Sequence, residues 1–210
     1  MIKILIVDDH AVVRRGLKQI FSDEPGMAVY GEATDTRELA NIVDTQDWDI
    51  VILDITLADR SGLDVLAELK RKRPFLPVLI LSVHPEEQYA IRALKAGANG
   101  YVNKRTAPDE LVRAVKKMVS GGKYISPALA EKLADSLHEG FEQPRHEKLS
   151  NREYQVTCMI ASGRTLKDIG EELYLSVKTV RTYRQRIMEK MKFRSNAELI
   201  HYAIKKRLVD

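Results

Sequence analysis

Cysteine is almost absent from this chain of 210 residues: the one thiol is Cys158, which excludes an internal disulfide and any cysteine-based zinc site. Its neighbours Val156, Met159 and Ile160 are apolar, so burial is its expected role. Long hydrophobic runs are missing too. No stretch approaches the ~18 unbroken apolar residues of a membrane span. The opening Met1-Ile2-Lys3 runs directly into a strand pattern and does not read as a signal peptide. The expectation is a cytoplasmic chain with no membrane partner. There is no internal repeat or low-complexity tract. A hydrophobic content of 44% with 30% charged residues is ordinary for a globular chain, and the length fits one large or two modest domains.

Charge divides the chain. Residues 1–120 hold 17 Lys and Arg against 18 Asp and Glu, residues 121–146 hold 3 against 4, and residues 147–210 hold 14 against 8. The formal net charge of +4 is therefore concentrated at the C-terminal end, where it points to a polyanionic partner.

In the first part, short apolar runs end in chemistry-bearing residues. Ile4-Leu5-Ile6-Val7 closes on Asp8-Asp9, Ile50-Val51-Ile52-Leu53 on Asp54, Pro77-Val78-Leu79-Ile80-Leu81 on Ser82, and Gly100-Tyr101-Val102-Asn103 on Lys104. Ligands of an open parallel sheet bind at the carboxyl ends of its strands. Carboxylates meeting there repel one another unless a hard divalent cation joins them. A carboxylate attacking a phosphoryl group needs a metal on the phosphoryl oxygens, a cation for the remaining charge and a hydrogen-bond donor. Asp54, Asp8-Asp9, Lys104 and Ser82 supply those parts.

Between the runs lie helical patterns (Val12, Leu17, Ile20, Phe21; Leu39, Ile42, Val43; Leu63, Val65, Leu66, Leu69), so strand and helix alternate five times. That favours an α/β doubly wound, five-stranded parallel sheet. The last helix reads as starting at Thr106-Ala107-Pro108-Asp109, with Thr106 in a capping-box-like role, and as ending at Ser120-Gly121-Gly122. This part resembles the receiver domain of two-component response regulators through Asp8-Asp9, Asp54 with Gly62 eight residues on, Ser82, and Tyr101 three residues before Lys104. The resemblance implies that Asp54 is the phosphoacceptor. It also implies that Asp8, Asp9, Asp54 and the Thr56 carbonyl bind Mg2+, and that Ser82 and Tyr101 form the switch pair. The sequence departs from the family at Leu57-Ala58, usually Met-Pro, and at Arg105, usually Pro, which removes two proline constraints. Tyr101 read alone is a half-buried sheet aromatic, and His84 reads as a solvent-facing residue at the start of a helix, with the alternative that, two residues after Ser82, it reaches the phosphorylation site.

The receiver is expected over residues 1–122, and residues 123–146 read as a linker. Within the linker, Pro127 to Ala134 has a short amphipathic pattern, and His138 to His146 has the composition of a polar tether. From residue 147 a small all-α domain follows. Ser150-Asn151-Arg152-Glu153 is a capping box, Thr165-Leu166-Lys167-Asp168 a second capping-box-like start, and Ser176 caps a third helix after a tight turn. Helix, short turn, helix is the helix-turn-helix spacing. In the third helix Val180, Ile187 and Met191 form the inward stripe, opposite Lys178, Arg181, Thr182 and Gln185.

Leu149-Ser150-Asn151-Arg152-Glu153, Lys167-Asp168-Ile169, Leu175-Ser176, Thr179-Val180 and Glu198-Leu199 resemble the LuxR-type helix-turn-helix. Together with the receiver they match the NarL/FixJ class of response regulators. Gly170 stands where that family usually places Ala. The resemblance implies that Arg181, Thr182 and Gln185 read base edges of double-stranded DNA. It places Lys178, Tyr183, Arg184 and Lys190 nearer the backbone; by charge and position Arg186 and Lys192 of the third helix, and Lys167 at the start of the second, are also expected to approach phosphates. The apolar surface of the fourth helix (Ala197, Leu199, Ile200, Ala203, Ile204) suits self-association.

The expected function is phosphorylation-controlled transcription regulation. A sensor histidine kinase donates to Asp54, and dimerisation and DNA binding follow. The receiver assists its own phosphotransfer and dephosphorylation but is not an enzyme in the ordinary sense. Two alternatives stand beside this. A magnesium phosphohydrolase with an aspartyl-phosphate intermediate needs a general acid near the nucleophile, and Ile55, Thr56, Leu57 and Ala58 offer none. A constitutive DNA binder with an inactive receiver has no need of the complete acidic pocket.

Overall fold

The computed structural model describes residues 1–58, 60–127, 129–131 and 144–209. The chain divides into two units, Met1–Ala134 and Asp135–Asp210. Among the described residues no helix is long and apolar enough to cross a membrane.

In the first unit β1 (Ile2–Val7), β2 (Met27–Ala33), β3 (Ile50–Leu53), β4 (Val78–Ser82) and β5 (Gly100–Asn103) alternate with α1 (Ala11–Ser22), α2 (Thr36–Ile42), α3 (Gly62–Lys72), α4 (Glu86–Lys95) and α5 (Pro108–Val119). The strands form one parallel sheet in the order β2-β1-β3-β4-β5. Every residue of β3 and β4 is buried. Continuous Val/Ile/Leu runs are what a sheet covered on both faces requires. One face carries Ile4, Ile6, Ile50, Ile52, Leu79, Leu81 and Val102 against Leu17 and Phe21 of α1 and Leu111, Val115 and Met118 of α5. The alternate positions Leu5, Val7, Val51 and Leu53 are fully buried as well, as the two-residue side-chain period demands.

The start of α5 differs from the sequence expectation. Ala107 is its N-cap and makes no side-chain cap bond, and Pro108 is its first residue. Thr106 instead lies in a turn, its N–H donating to Asn103 O (2.9 Å). Proline, with its fixed φ and no N–H to leave unsatisfied, sets the first turn without a hydroxyl cap.

After α5 the chain stays on the first unit. Tyr124 forms a parallel bridge with Gly100, its hydroxyl donates to Glu110 Oε1 (2.7 Å), and Leu129 is buried. Of the amphipathic segment, Pro127 and residues 129–131 are helical; residues 132–134, and residues 138–143 of the polar stretch, lie outside the described residues. Arg145–Lys148 is a short 3-10 turn belonging to the second unit. There Arg145 Nη1 donates to Met191 O (3.2 Å) and His146 Nδ1 meets the Tyr202 hydroxyl (3.0 Å).

The second unit contains α6 (Asn151–Ala161), α7 (Leu166–Glu172), α8 (Val177–Met191) and α9 (Asn196–Lys205). Ser150 with Glu153 and Thr165 with Asp168 form reciprocal capping boxes, and Ser176 and Ser195 cap α8 and α9. The core is made by Val156, Ile169, Leu173, Val180, Ile187, Met191, Leu199 and Ala203. The turn between α7 and α8 is tight. Tyr174 takes a left-handed φ of 54°, and Leu175 N donates to Gly170 O (2.8 Å). A Cβ at Gly170 would lie 2.7 Å from Leu175 O. Glycine thus fits this helix interior because the returning backbone fills the space.

Candidate functional site

The acidic pocket lies at the carboxyl ends of β1, β3, β4 and β5. The pairing Val7↔Leu53 and the bond from Asp54 N to Val7 O (2.9 Å) set Asp8 and Asp54 side by side. The pairing Ser82↔Asn103, extended by Lys104 N to Ser82 O (2.7 Å), brings Lys104 to the same rim. Lys104 Nζ contacts Asp54 Oδ2 at 2.8 Å and Asp8 Oδ2 at 2.6 Å. Asp8 and Asp54 are each 2% exposed. Burial is the main reason the Asp54 carboxyl is raised to about 6; Lys104 opposes that shift, Asp8 adds to it, and the Thr56 N–H donating to Oδ1 at 3.1 Å opposes it. Lys104 itself is held above its ordinary value, because the attraction of Asp54 and Asp8 outweighs its burial.

Gly62 closes the loop over this strand end. Its N–H donates to Ile55 O (2.7 Å), and a Cβ there would lie 2.0 Å from Asp54 O. No larger residue fits so close to the Asp54 backbone.

Ligand atoms of Asp8, Asp9, His10 and Asp54 lie within 4.8 Å of one another. His10 Nδ1 is 2.6 Å from Asp9 Oδ1 and 3.2 Å from Asp8 Oδ1, and the His10 N–H donates to Asp8 Oδ1 (2.8 Å). Both Asp9 carboxylate oxygens are buried and make no well-formed hydrogen bond; the His10 ring nitrogen stands beside Oδ1, while Oδ2 has no partner among the described residues. Leaving a carboxylate so is costly unless it meets a cation, so the oxygen-rich set fits a hard divalent ion. His10 was not singled out in the sequence; its place directly after Asp8-Asp9 was the available signal.

His84 is not solvent-facing. Its Nε2 lies 3.2 Å from Thr56 Oγ1, and its ring stacks on Tyr89 with centroids 4.7 Å apart. Burial first, then the Lys104 charge, lowers its pKa to about 4, so the ring is neutral near pH 7. Its backbone joins the other groups. Ser82 Oγ accepts the His84 N–H (3.1 Å), and His84 O accepts from the Tyr101 hydroxyl (2.9 Å) and Asn103 Nδ2 (3.0 Å). Tyr101 is turned inward and 2% exposed. The Lys104–Arg105 peptide is trans, and Arg105 N donates to Asn103 Oδ1 (2.9 Å), so a side chain braces the turn where the family usually has proline.

In the second unit Lys178, Arg181, Thr182, Gln185 and Arg186 are exposed on α8. Lys178, Thr179, Thr182, Tyr183 and Arg186 line one shallow groove. Gln185 Nε2 donates to Glu189 Oε1 (3.0 Å), Thr182 Oγ1 to Lys178 O (3.1 Å), and Arg184 Nε to Asn196 Oδ1 (2.9 Å). Lys167 is exposed at the start of α7, 3.8 Å from Glu171. Lys190 is placed differently: its Nζ is 2.6 Å from Oε2 of the buried Glu153.

Residues 4–116 match the family described as response regulator receiver domain, and residues 147–203 match the bacterial regulatory proteins of the luxR family. Response regulator GacA of Pseudomonas aeruginosa is 35% identical over 214 residues, spanning 100% of this chain and 99% of that protein. Response regulator UvrY of Escherichia coli K12 is 36% identical over 212 residues, spanning 100% and 97%. A solved LuxR-family two-component response regulator from Aurantimonas sp. shares 34% identity with a TM-score of 0.60, over 65% of this chain and 98% of its own. RcsB of Salmonella enterica serovar Typhimurium, solved bound to promoter rprA in the presence of phosphomimetic BeF3-, is alike in fold at a TM-score of 0.64 and 23% identity, over 96% and 97%. With both family matches and full-length relatives in agreement, the chain belongs to the two-component response regulators that join a receiver domain to a LuxR-type DNA-binding domain and regulate transcription.

Proposed function

We propose that Asp54 accepts a phosphoryl group from the phosphohistidine of a partner sensor kinase, and that this controls dimerisation and double-stranded DNA binding. One observation carries the reading: a buried Asp54 carboxylate, raised to about 6, held by Lys104 Nζ at 2.8 Å beside Asp8. An Asp54 oxygen attacks phosphorus, the phosphorus–nitrogen bond of the donor breaks, and an acyl phosphate forms. Asp8, Asp9, Asp54 and the Thr56 carbonyl would hold Mg2+, which when bound neutralises charge on the phosphoryl oxygens. Lys104 takes the remaining charge. Ser82 Oγ, drawn toward the product, releases the His84 N–H it now accepts, and the loop held by Tyr101 and Asn103 through His84 O rearranges the surface of α4 and β5.

The receiver spans residues 1–122 and acts on its own phosphoryl group, speeding its transfer and loss; residues 123–146 join it to the DNA-binding residues 147–210. On α8, Arg181, Thr182 and Gln185 read bases, while Lys167, Lys178, Tyr183, Arg184 and Arg186 approach phosphates. Intact-mass measurement with a small acyl-phosphate donor tests the first step. One phosphoryl mass is expected, only with a divalent cation, and none at a comparable rate in Asp54→Asn. Equal uptake by Asp54→Asn contradicts the assignment.

A further inference from the structure

Lys190 and Glu153 stand apart from the other charged groups of the second unit. Glu153, on α6, is 2% exposed, and its Oε2 accepts from Ser150 N at 2.8 Å and from Lys190 Nζ at 2.6 Å. The first bond completes the capping box of α6. The second reaches across 37 residues to the last turn of α8. Burial alone would push the Glu153 carboxyl up; the Lys190 and Ser150 bonds outweigh it and hold it below its ordinary value. Beside it Arg152, also buried, donates from Nη2 to Leu173 O (3.1 Å) at the end of α7. One short stretch at the start of α6 therefore grips both helices of the helix-turn-helix.

Helix geometry sets Lys190 apart from Arg181 and Gln185, one turn beyond Arg186 along α8. Lys190 follows Arg181 by nine positions, about two and a half turns at ~3.6 residues per turn. It therefore leaves α8 on the side opposite Arg181, beside the buried Ile187 and Met191.

From this arrangement we propose that Lys190 is a positioning residue and does not contact DNA phosphate: its ion pair with Glu153 fixes the angle at which α8 presents Arg181, Thr182 and Gln185 to the bases. The inference rests on the DNA-binding reading above. It predicts that Glu153, buried and remote from the reading face, matters as much to base discrimination as Lys190.

The test uses the full chain in one fixed phosphorylation state, a duplex that the wild type selects from a random-sequence pool, and a scrambled duplex of equal length. Affinity is measured across a salt series for wild type, Lys190→Met, Lys190→Arg, Glu153→Gln and the Lys190→Met/Glu153→Gln double variant. Lys190→Met keeps an apolar stem, and Glu153→Gln keeps an acceptor for Ser150 N–H. Expected is a roughly tenfold narrowing of the ratio between selected and scrambled duplex in either single variant, since ~1.4 kcal/mol of misaimed contact corresponds to tenfold. The double variant should be no worse than either single one, Lys190→Arg should restore the ratio, and the slope of log affinity against log salt should be unchanged. A variant that merely unfolds in part loses both duplexes alike and leaves the ratio intact, which overturns the proposal. A slope lowered by about 0.9 in Lys190→Met, the signature of one lost phosphate contact, with discrimination unchanged, also overturns it. Should the wild type itself bind neither duplex, the DNA-binding reading falls, and this inference with it.

Discussion

Asp54 is a destabilising residue in the metal-free fold, and its pKa says in which pH range. The folded chain keeps the proton up to about 6, whereas a free aspartate side chain loses it near 3.8. The folded state is therefore favoured where Asp54 is protonated, and that advantage is lost as pH rises from the unfolded value through the folded one. Asn stays neutral throughout. In chelator, Asp54→Asn should be more stable than wild type at about pH 7.5, by roughly 2 to 3 kcal/mol, with the gap closing near pH 4; denaturant unfolding at the two pH values reads this directly. Added magnesium should raise the unfolding midpoint of wild type by mass action and do far less for Asp9→Ala, which lacks one carboxylate of the Asp8, Asp9, His10 and Asp54 cluster. Equal magnesium stabilisation of both proteins would remove Asp9 from the metal set. Asp8, Asp54 and Ser82 were legible as residues of one rim because each directly ends an apolar run, with Asp9 and Lys104 one position further on, and strand ends are local patterns. His84 was legible only as one of two readings, from its spacing after Ser82: its partner Thr56 is 28 residues away, and its burial is set by contacts that local spacing does not show.

Elements were legible to the extent that their signals are local. The continuous strand runs, the serine and threonine caps of α6, α7 and α8 and the stripe Val180, Ile187, Met191 all appear as read. The start of α5 moved past Thr106 because Pro108 sets the first turn. Gly170 shows what propensity misses. Helix propensity alone makes Ala more favourable than Gly by roughly 0.5 to 1 kcal/mol, but a Cβ at this position would lie 2.7 Å from Leu175 O. The backbone there is held by the Leu175 N to Gly170 O bond. Gly170→Ala should therefore destabilise the second unit, by about 1 to 3 kcal/mol as overpacking does, in thermal unfolding followed by circular dichroism. A variant more stable than wild type would mean that the turn between α7 and α8 relaxes readily. The Lys190–Glu153 pair escaped the sequence for the same reason as the burial of His84. The capping box accounts for Glu153 completely until the fold brings a second helix to it.

At the scale of the whole molecule the charge division and the two units fall together. The acidic pocket lies in Met1–Ala134 and the basic surface in Asp135–Asp210, which puts phosphoryl chemistry and polyanion binding on separately folded parts. DNA binding by the full chain should weaken steeply with salt, because lysine and arginine contacts release counterions at about 0.9 per phosphate. Arg181→Ala or Gln185→Ala should relax preference at particular base pairs by about 1 to 3 kcal/mol, measured by competition between duplexes. Salt-independent binding would contradict the basic surface as the interface. The central claim is that phosphate on Asp54 controls this surface. It is tested most directly by measuring DNA affinity and molar mass of the full chain, with magnesium, before and after an acyl-phosphate donor, in wild type and Asp54→Asn. The account predicts tighter binding and a dimeric mass after the donor in wild type alone. Unchanged affinity together with an unchanged mass in phosphorylated wild type would contradict it.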